Sequence, residues 1–343
     1  MRQILKKIAR NYVYPNLVRL GFGKFVSNFQ SKQYLILNYH GVVKKTNLSL
    51  SVNHMSESDF EKQMTFFSKN FNILSEEDFF KKLKSNNNSQ KKSILITFDD
   101  GYENNYKYAF PILKKLKIPA LIFPVTSLID SKNQTWYDII DLTKSNFNTE
   151  SQLNKLENIA AIFGLKKEYS SFNISILKSF LKTLDSNSKH DFFKEYYKII
   201  DLSIFDNESY YDFWKMLSSD QIKEMDKSGL ISFGSHTVNH PNLDQLKPDL
   251  ILSELKDSKL QLEQIVGKTI SSIAFPDGAY NKDVIEIAKK LEYDKLYAVQ
   301  FKNDSDKLDE ELFNRFSISN TTSAESVIFN VCRSFSKDGI QKN

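Results

Sequence analysis

Ser93-Ile-Leu-Ile-Thr-Phe-Asp-Asp-Gly-Tyr102 decides how the rest of the chain is read. A short apolar run with β character ends in two adjacent carboxylates and a glycine. Parallel α/β folds build active sites in this way, with polar residues at the C-terminal tips of apolar strands. Asp99 and Asp100 are neighbours, and an unbroken strand would point them to opposite sides. For both to serve one centre the backbone has to turn there, and Gly101 permits the turn. The alternative is a strand-end turn in which an Asp caps the next helix.

A second stretch, Ser235-His-Thr-Val-Asn-His-Pro241, follows another β-type run, Leu230-Ile-Ser-Phe233. His236 and His240 are four apart, a spacing that puts both imidazoles on one face of a helical turn, close enough to share a metal. The chain has five histidines, and two of them sit at this strand tip. With Asp100 they make a His-His-carboxylate set that leaves a metal position open for water.

Thr97-Phe-Asp-Asp-Gly101 together with His236-Thr-Val-Asn-His240 resembles the polysaccharide deacetylases, the NodB-homology group of carbohydrate esterase family 4. Asn38-Tyr-His-Gly-Val42 and Phe275-Pro-Asp-Gly278 resemble two further motifs of that superfamily. The four occur in the expected order, each at a plausible strand end. The resemblance covers residues 34–125 and 216–320. It implies an irregular TIM-like (β/α)7 barrel. It also implies that Asp99 is the catalytic base and that Asp100, His236 and His240 hold a metal. The oxyanion is expected on a backbone N–H at the proline motif, here that of Asp277.

Two departures from the family pattern bear on the mechanism. Many relatives carry an Arg two residues before the motif's proline, where it holds the base; this chain has Ala274 there, and Arg315 on the last expected strand is a candidate substitute. Many also carry a late histidine as general acid, whereas no histidine follows His240 here. His40, at the tip of the first expected strand, or a water would then protonate the leaving amine. A buried structural histidine is the other reading of His40.

Composition sets the bounds. With 343 residues, 41% hydrophobic and 26% charged, the chain reads as globular. A single cysteine, Cys332, excludes an internal disulfide framework. The net charge of +5 comes from lysines spread along the chain, with no helix-turn-helix or aromatic RNA motif, so no nucleic-acid partner is expected. No apolar run reaches the length of a transmembrane helix. Met1–Arg10 is basic and lacks the apolar core and cleavage site of a signal peptide. The expected location is cytoplasmic, with a peripheral place on the inner face of the membrane as an option.

Along the chain, residues 1–30 read as an amphipathic helix, either lying on an anionic membrane surface or packed against the barrel. Tyr34–His40 is the first core strand. His54 falls in a loop and receives no role. Ser56–Asn70 and Ser75–Ser85 are helices opened by serine caps. Pro111 forces a kink or late start on the helix near Asn104–Leu116. From about 128 the β-α rhythm stops, and residues 131–215 read as a helical insertion framed by Trp136, Tyr137, Tyr210, Tyr211 and Trp214. Those aromatics either stack on sugar rings or simply pack. The rhythm then resumes, with a capping box at Ser218–Gln221, a long helix Pro248–Val266 closed by Gly267, and Asn281 as a cap. The expected organisation is an N-terminal helical segment (1–30), a discontinuous barrel (31–130 and 216–325), the insertion (131–215) and a C-terminal tail (326–343).

The chemistry expected is hydrolysis of the acetamide of an N-acetylated amino sugar in a polysaccharide or cell-surface glycan precursor. Zinc is the first candidate metal, and iron, cobalt, nickel or manganese also accept this donor set. Two other readings stand beside it. One is an O-acetyl esterase or other amide hydrolase on the same metal site. The other is an inactive carbohydrate-binding relative.

Overall fold

Alternation along β-type runs sorts their residues into two sets, and the computed structural model shows where each goes. It describes residues 9–21, 33–47, 50–51, 53–85, 91–166, 172–318 and 320–335. The strands among them are β1 (Tyr34–Tyr39), β2 (Gly41–Val43), β3 (His54–Ser56), β4 (Asn72–Ile73), β5 (Ser93–Asp100), β6 (Ala120–Pro124), β7 (Ile231–Phe233), β8 (Ser272–Ala274), β9 (Lys295–Ala298), β10 (Leu312–Asn314) and β11 (Phe316–Ser317). Parallel pairing runs β11-β1-β5-β6-β7 and, separately, β8-β9-β10. A parallel bridge between Ser235 and Ile273 joins the two sets. Its bonds are Ser235 N–H to Ser272 O at 2.8 Å and Ala274 N–H to Ser235 O at 2.9 Å. Only Arg315 separates β10, bonded to β9, from β11, bonded to β1. Counted as one stave, they close a seven-stave (β/α) barrel, as expected.

Ile36, Leu95, Leu121, Phe123, Ala274, Tyr297 and Phe313 form one buried cluster, with Phe79 and Phe80 of the helix Glu76–Lys84 packed into it. Their strand neighbours Leu35, Leu37, Ile94, Ile96, Ile122 and Leu296 belong to the other core, shared with the surrounding helices. The period of two thus divides lumen from outer core. It also sends Thr97 and Asp99, which continue the Leu95 series, and Arg315, which continues the Phe313 series, towards the lumen's upper end.

Local signals set most helix limits. Ser56, Ser75 and Asn281 accept from the N–H groups of Asp59, Asp78 and Val284, and Ser218 forms a full capping box with Gln221. Pro248–Val266 ends on Gly267 at φ +68°. Before Pro111, a π-helical turn over Asn105–Ala109 precedes the α-helix Phe110–Leu116, which is the late start that proline demands.

The insertion has its own core. Its helices are Trp136–Thr143, Glu150–Ile162, Ile174–Leu181 and Ser186–Tyr196, and they bury Ile140, Leu156, Leu177, Leu181, Phe192 and Tyr196 together. Trp214 is buried against Phe205 and Tyr211, so it packs.

Three expectations need correction. Residues 326–343 are not wholly a tail: Ala324–Ser334 is a helix that buries Val327, Ile328, Val331 and Cys332 in the outer core. Residues 1–30 are not one helix among the described residues. A π turn, Ala9–Val13, leads into a short α-helix, Tyr14–Arg19. Tyr14 stacks on Phe329 at 4.3 Å and accepts a hydrogen bond from Arg333, so this segment packs on the C-terminal helix. Residues 1–8 and 22–30 of that expectation lie outside the described set. His54, expected in a loop, is buried in β3, its Nδ1 2.7 Å from Ser51 Oγ. Burial and the nearby His40 push its pKa down to about 3, so it stays neutral. A side chain at Gly41 would put a Cβ 2.1 Å from the His54 ring, which explains the glycine. No helix among the described residues is long and apolar enough to cross a membrane.

Candidate active site

β5 delivers the two carboxylates to one cavity by abandoning strand geometry at its last residue. Asp99 keeps the inward phase, while Asp100 takes φ +71° and Gly101 φ +80°. The turn therefore begins at Asp100 itself, one residue before the expected place. A Cβ on Gly101 would fall 2.5 Å from Pro124 Cβ, so the close approach to β6 also requires glycine. The cavity, about 370 Å³, is lined by Asn38, His40, Asp99, Asp100, His236, His240 and Asp277, all from the C-terminal ends of the strands.

Asp100, His236 and His240 meet within it. Asp100 Oδ1 lies 3.5 Å from His236 Nε2 and 3.6 Å from His240 Nε2. Donor atoms of the three residues all lie within 4.8 Å of one another, and all three side chains are buried. The histidine pair does not ride on a helical turn, as its spacing suggested. Thr237 (φ +67°) and His240 (φ +54°) fold the segment into an irregular loop. Glu254 holds this loop, accepting the Val238 and Asn239 N–H groups at 2.9 Å each and Asn239 Nδ2 at 2.7 Å. Left-handed backbone in non-glycine residues is costly and gathers where function demands it.

These residues fit a divalent cation. His236 donates Nδ1–H to Ala274 O at 2.8 Å, which leaves Nε2 as the ligand atom. Burial, reinforced by His236, lowers the His240 pKa to about 4, so its imidazole is the neutral form that metal binding needs. Burial alone would raise the Asp100 carboxyl, but the surrounding imidazoles of His236, His40 and His240 hold it well below the ordinary range. Among the described residues the buried Asp100 Oδ2 has no hydrogen-bond partner, so its lone pairs are available to a cation.

Asp99 is held differently. Arg315 grips it with two parallel bonds, Nη1 to Oδ1 at 2.6 Å and Nη2 to Oδ2 at 2.8 Å. Asn38 Nδ2 donates to the same Oδ2 at 3.0 Å. The Arg315 side chain is fully buried, with its guanidinium over the Phe123 and Tyr297 rings and its Nε bonded to Ala298 O. Burial pushes the Asp99 carboxyl up, but Arg315 and His236 outweigh it, and the group stays charged. Arg315 thus occupies the place suggested for it, and the break between β10 and β11 falls at this residue. Asn38 is a holder of the base that its motif alone does not assign; its lumen-facing phase on β1 is the sequence signal for that role.

Asp277 adopts φ +54° in the turn Pro276–Gly278, and its N–H has no backbone acceptor among the described residues. Its carboxylate pairs with Lys182, which caps the helix Ile174–Leu181 of the insertion. His40 lines the cavity, half-buried, and its carbonyl accepts from Asn105 Nδ2 at 2.7 Å. The insertion therefore reaches the site, which the sequence did not disclose. Trp136, Tyr137, Lys178 and Lys182 all line the cavity. Tyr137 packs on the His240 ring at 5.3 Å, and among the described residues no hydrogen bond is recorded for its buried hydroxyl. Burial and the charges of Asp100 and Asp138 raise its pKa far above the usual value, so it remains a donor.

A barrel with a buried His-His-Asp cluster beside an arginine-held carboxylate defines a class, and comparison with known proteins identifies it. The polysaccharide deacetylase family profile matches residues 86–159 and 181–296, more than half of the chain. The chain belongs to the polysaccharide deacetylase family. It is 24% identical over 284 residues to a poly-beta-1,6-N-acetyl-D-glucosamine N-deacetylase of Staphylococcus aureus (strain MRSA252), covering 76% of this chain and 70% of that protein. With YxkH of Bacillus subtilis (strain 168) it shares 23% identity over 259 residues, 75% of this chain and 61% of that protein. Among solved structures, a Streptococcus pyogenes deacetylase, PplD, in complex with acetate superposes with a TM-score of 0.55 at 23% identity, over 87% of this chain and 97% of that one. IcaB from Ammonifex degensii gives 0.55 at 17% identity, over 89% and 98%. At these identities the structural likeness speaks for the fold.

Proposed function

We propose that this protein is a metal-dependent deacetylase that removes N-acetyl groups from an amino sugar in a polysaccharide or cell-surface glycan precursor. The observation that carries this reading is the pairing of two different carboxylates at one strand tip. Asp99 is gripped by Arg315 and Asn38, while Asp100 faces His236 and His240. Asp100, His236 and His240 would hold a divalent cation, zinc first and iron, cobalt, nickel or manganese as alternatives, which would supply Lewis acidity and lower the pKa of water towards about 7. Asp99, charged and fixed in direction, takes the proton from the attacking water. The Asp277 N–H, free of backbone acceptors among the described residues, is the donor assigned to the developing oxyanion. His40, on the cavity wall, donates its own proton to the leaving amine as the C–N bond breaks and acetate forms, and the proton held by Asp99 restores the balance through solvent. The relatives named as poly-beta-1,6-N-acetyl-D-glucosamine N-deacetylases point to an N-acetylglucosamine substrate.

Acetate release from N-acetylglucosamine donors that are free, oligomeric, nucleotide-linked and lipid-linked tests the reading. Asp99→Asn keeps the shape but removes the base. Activity should fall by about 10²–10⁴-fold while bound metal, measured on both proteins, is unchanged. Equal turnover by the variant would remove Asp99 from the mechanism.

A further inference from the structure

The site cavity adjoins a second one, of about 580 Å³, between the insertion and the loop that carries His240. Trp136 and His240 line both, so the two cavities share these side chains as a common boundary. The deacetylation chemistry needs only the first cavity and leaves the second without a task.

Lys189, on the helix Ser186–Tyr196, is the group in the second cavity that lacks an explanation. Its neighbours are accounted for: Lys182 pairs with Asp277, and Lys194 pairs with Asp191. Lys189 pairs with no carboxylate among the described residues. Its ammonium instead lies 5.1 Å from the centre of the Trp136 ring, and the side chain is half-buried. Burial is the first cause that lowers its pKa, with Lys182 nearby adding to it, and the more distant carboxylates of Asp277 and Asp185 oppose it without outweighing it. The cavity's own carboxylate, Glu254, is already spent on Val238 N–H, Asn239 N–H and Asn239 Nδ2. A partly desolvated ammonium gains only part of its compensation from an aromatic face. A charge-assisted hydrogen bond to an anion would supply the rest.

We propose that the second cavity binds an anionic group, phosphate or carboxylate, carried by the glycan beside the sugar being deacetylated. Lys189 is its counter-ion, and Trp136 is the face against which the sugar lies as it passes between cavities. The proposal deepens the deacetylase reading and rests on it for the position of the reacting sugar. It makes the substrate a charged glycan or carrier-linked sugar rather than a neutral homopolymer.

The test measures acetate release by the metal-loaded full chain on a neutral N-acetylglucosamine oligomer and four anionic donors. These are N-acetylglucosamine 1-phosphate, UDP-N-acetylglucosamine, prenyl-phosphate-linked N-acetylglucosamine and a glucuronate–N-acetylglucosamine oligomer. At least one anionic donor should exceed the neutral oligomer in kcat/KM by about tenfold or more, and which one separates phosphate from carboxylate and lipid from nucleotide. Lys189→Gln should cut that preference about tenfold, mainly through KM, and Lys189→Arg should keep most of it. Lys198→Gln, an exposed lysine paired with Glu195, is the control. A neutral oligomer that is preferred, or a preference untouched by K189Q, overturns the proposal. If no donor releases acetate, the deacetylase reading fails while the subsite is still decided by calorimetry with N-acetylglucosamine 1-phosphate, the glucuronate oligomer and pyrophosphate. Binding of any of them weakened about tenfold in K189Q supports the subsite, and binding that is absent or equal in both proteins rejects it.

Discussion

Arg315 and Asp99 lie 216 positions apart in sequence and form the central polar pair of the lumen. The guanidinium is buried, so its planar fork matters as much as its charge. Arg315→Lys keeps the charge but can reach only one carboxylate oxygen well. One charge-assisted hydrogen bond is then lost, at a cost of about 1.5–3 kcal/mol in denaturant unfolding, and Asp99 is free to tilt. Activity should fall by about 10–100-fold, since a base slightly out of line loses much of its effect. Metal content should stay level, because Arg315 touches none of Asp100, His236 and His240. Loss of metal together with activity would show that the arginine supports the whole strand tip rather than the base.

Secondary-structure elements divide by how local their signals are. Caps at Ser56, Ser75, Ser218 and Asn281 and the stop at Gly267 were legible because each depends on residues within one turn. The His236–His240 segment was misread as a helical turn, since a spacing of four reports separation and not backbone path. Its irregular course follows from Glu254, contributed by another element. The helical character of the insertion was legible, but not the limits of its helices or their place over the site. The helix Ile174–Leu181 meets the barrel through Lys182, whose ammonium pairs with Asp277 and whose carbonyl accepts from Asn242 Nδ2 at 2.6 Å. The Lys182 side chain is 46% exposed, so its ion pair adds little stability. Lys182→Ala should therefore shift unfolding by under about 1 kcal/mol while lowering kcat/KM several-fold, because the Asp277 turn loses its tether to the insertion. Unfolding curves read beside steady-state kinetics separate the two effects, and a large stability loss with unchanged kcat/KM would make Lys182 a structural strut only.

At the level of the whole molecule, closure of the barrel is what brings the site together. The weakest seam lies between β7 and β8, where pairing narrows to the Ser235–Ile273 bridge. Gly234 makes that seam possible, since a Cβ there would sit 2.4 Å from Phe123 Cε1 and 2.9 Å from Ser272 O. Gly234→Ala should destabilise the protein by about 1–3 kcal/mol through overpacking. It should also weaken metal binding, because His236 follows the bridge and takes its direction from Ala274 O. Denaturant unfolding and a metal titration check both; unchanged metal affinity in a destabilised protein would uncouple the seam from the ligands. Most of the alternation of strands and helices, the four strand-tip motifs and most barrel helix limits could be read along the chain, because periodicity, capping and turn chemistry are properties of neighbouring residues. The grip of Arg315 on Asp99, the burial of His54, the packing of Ala324–Ser334 and the insertion's reach to the cavity could not. Each joins residues far apart in sequence, and their separation in space is set by how seven staves close and how the helices then pack around them.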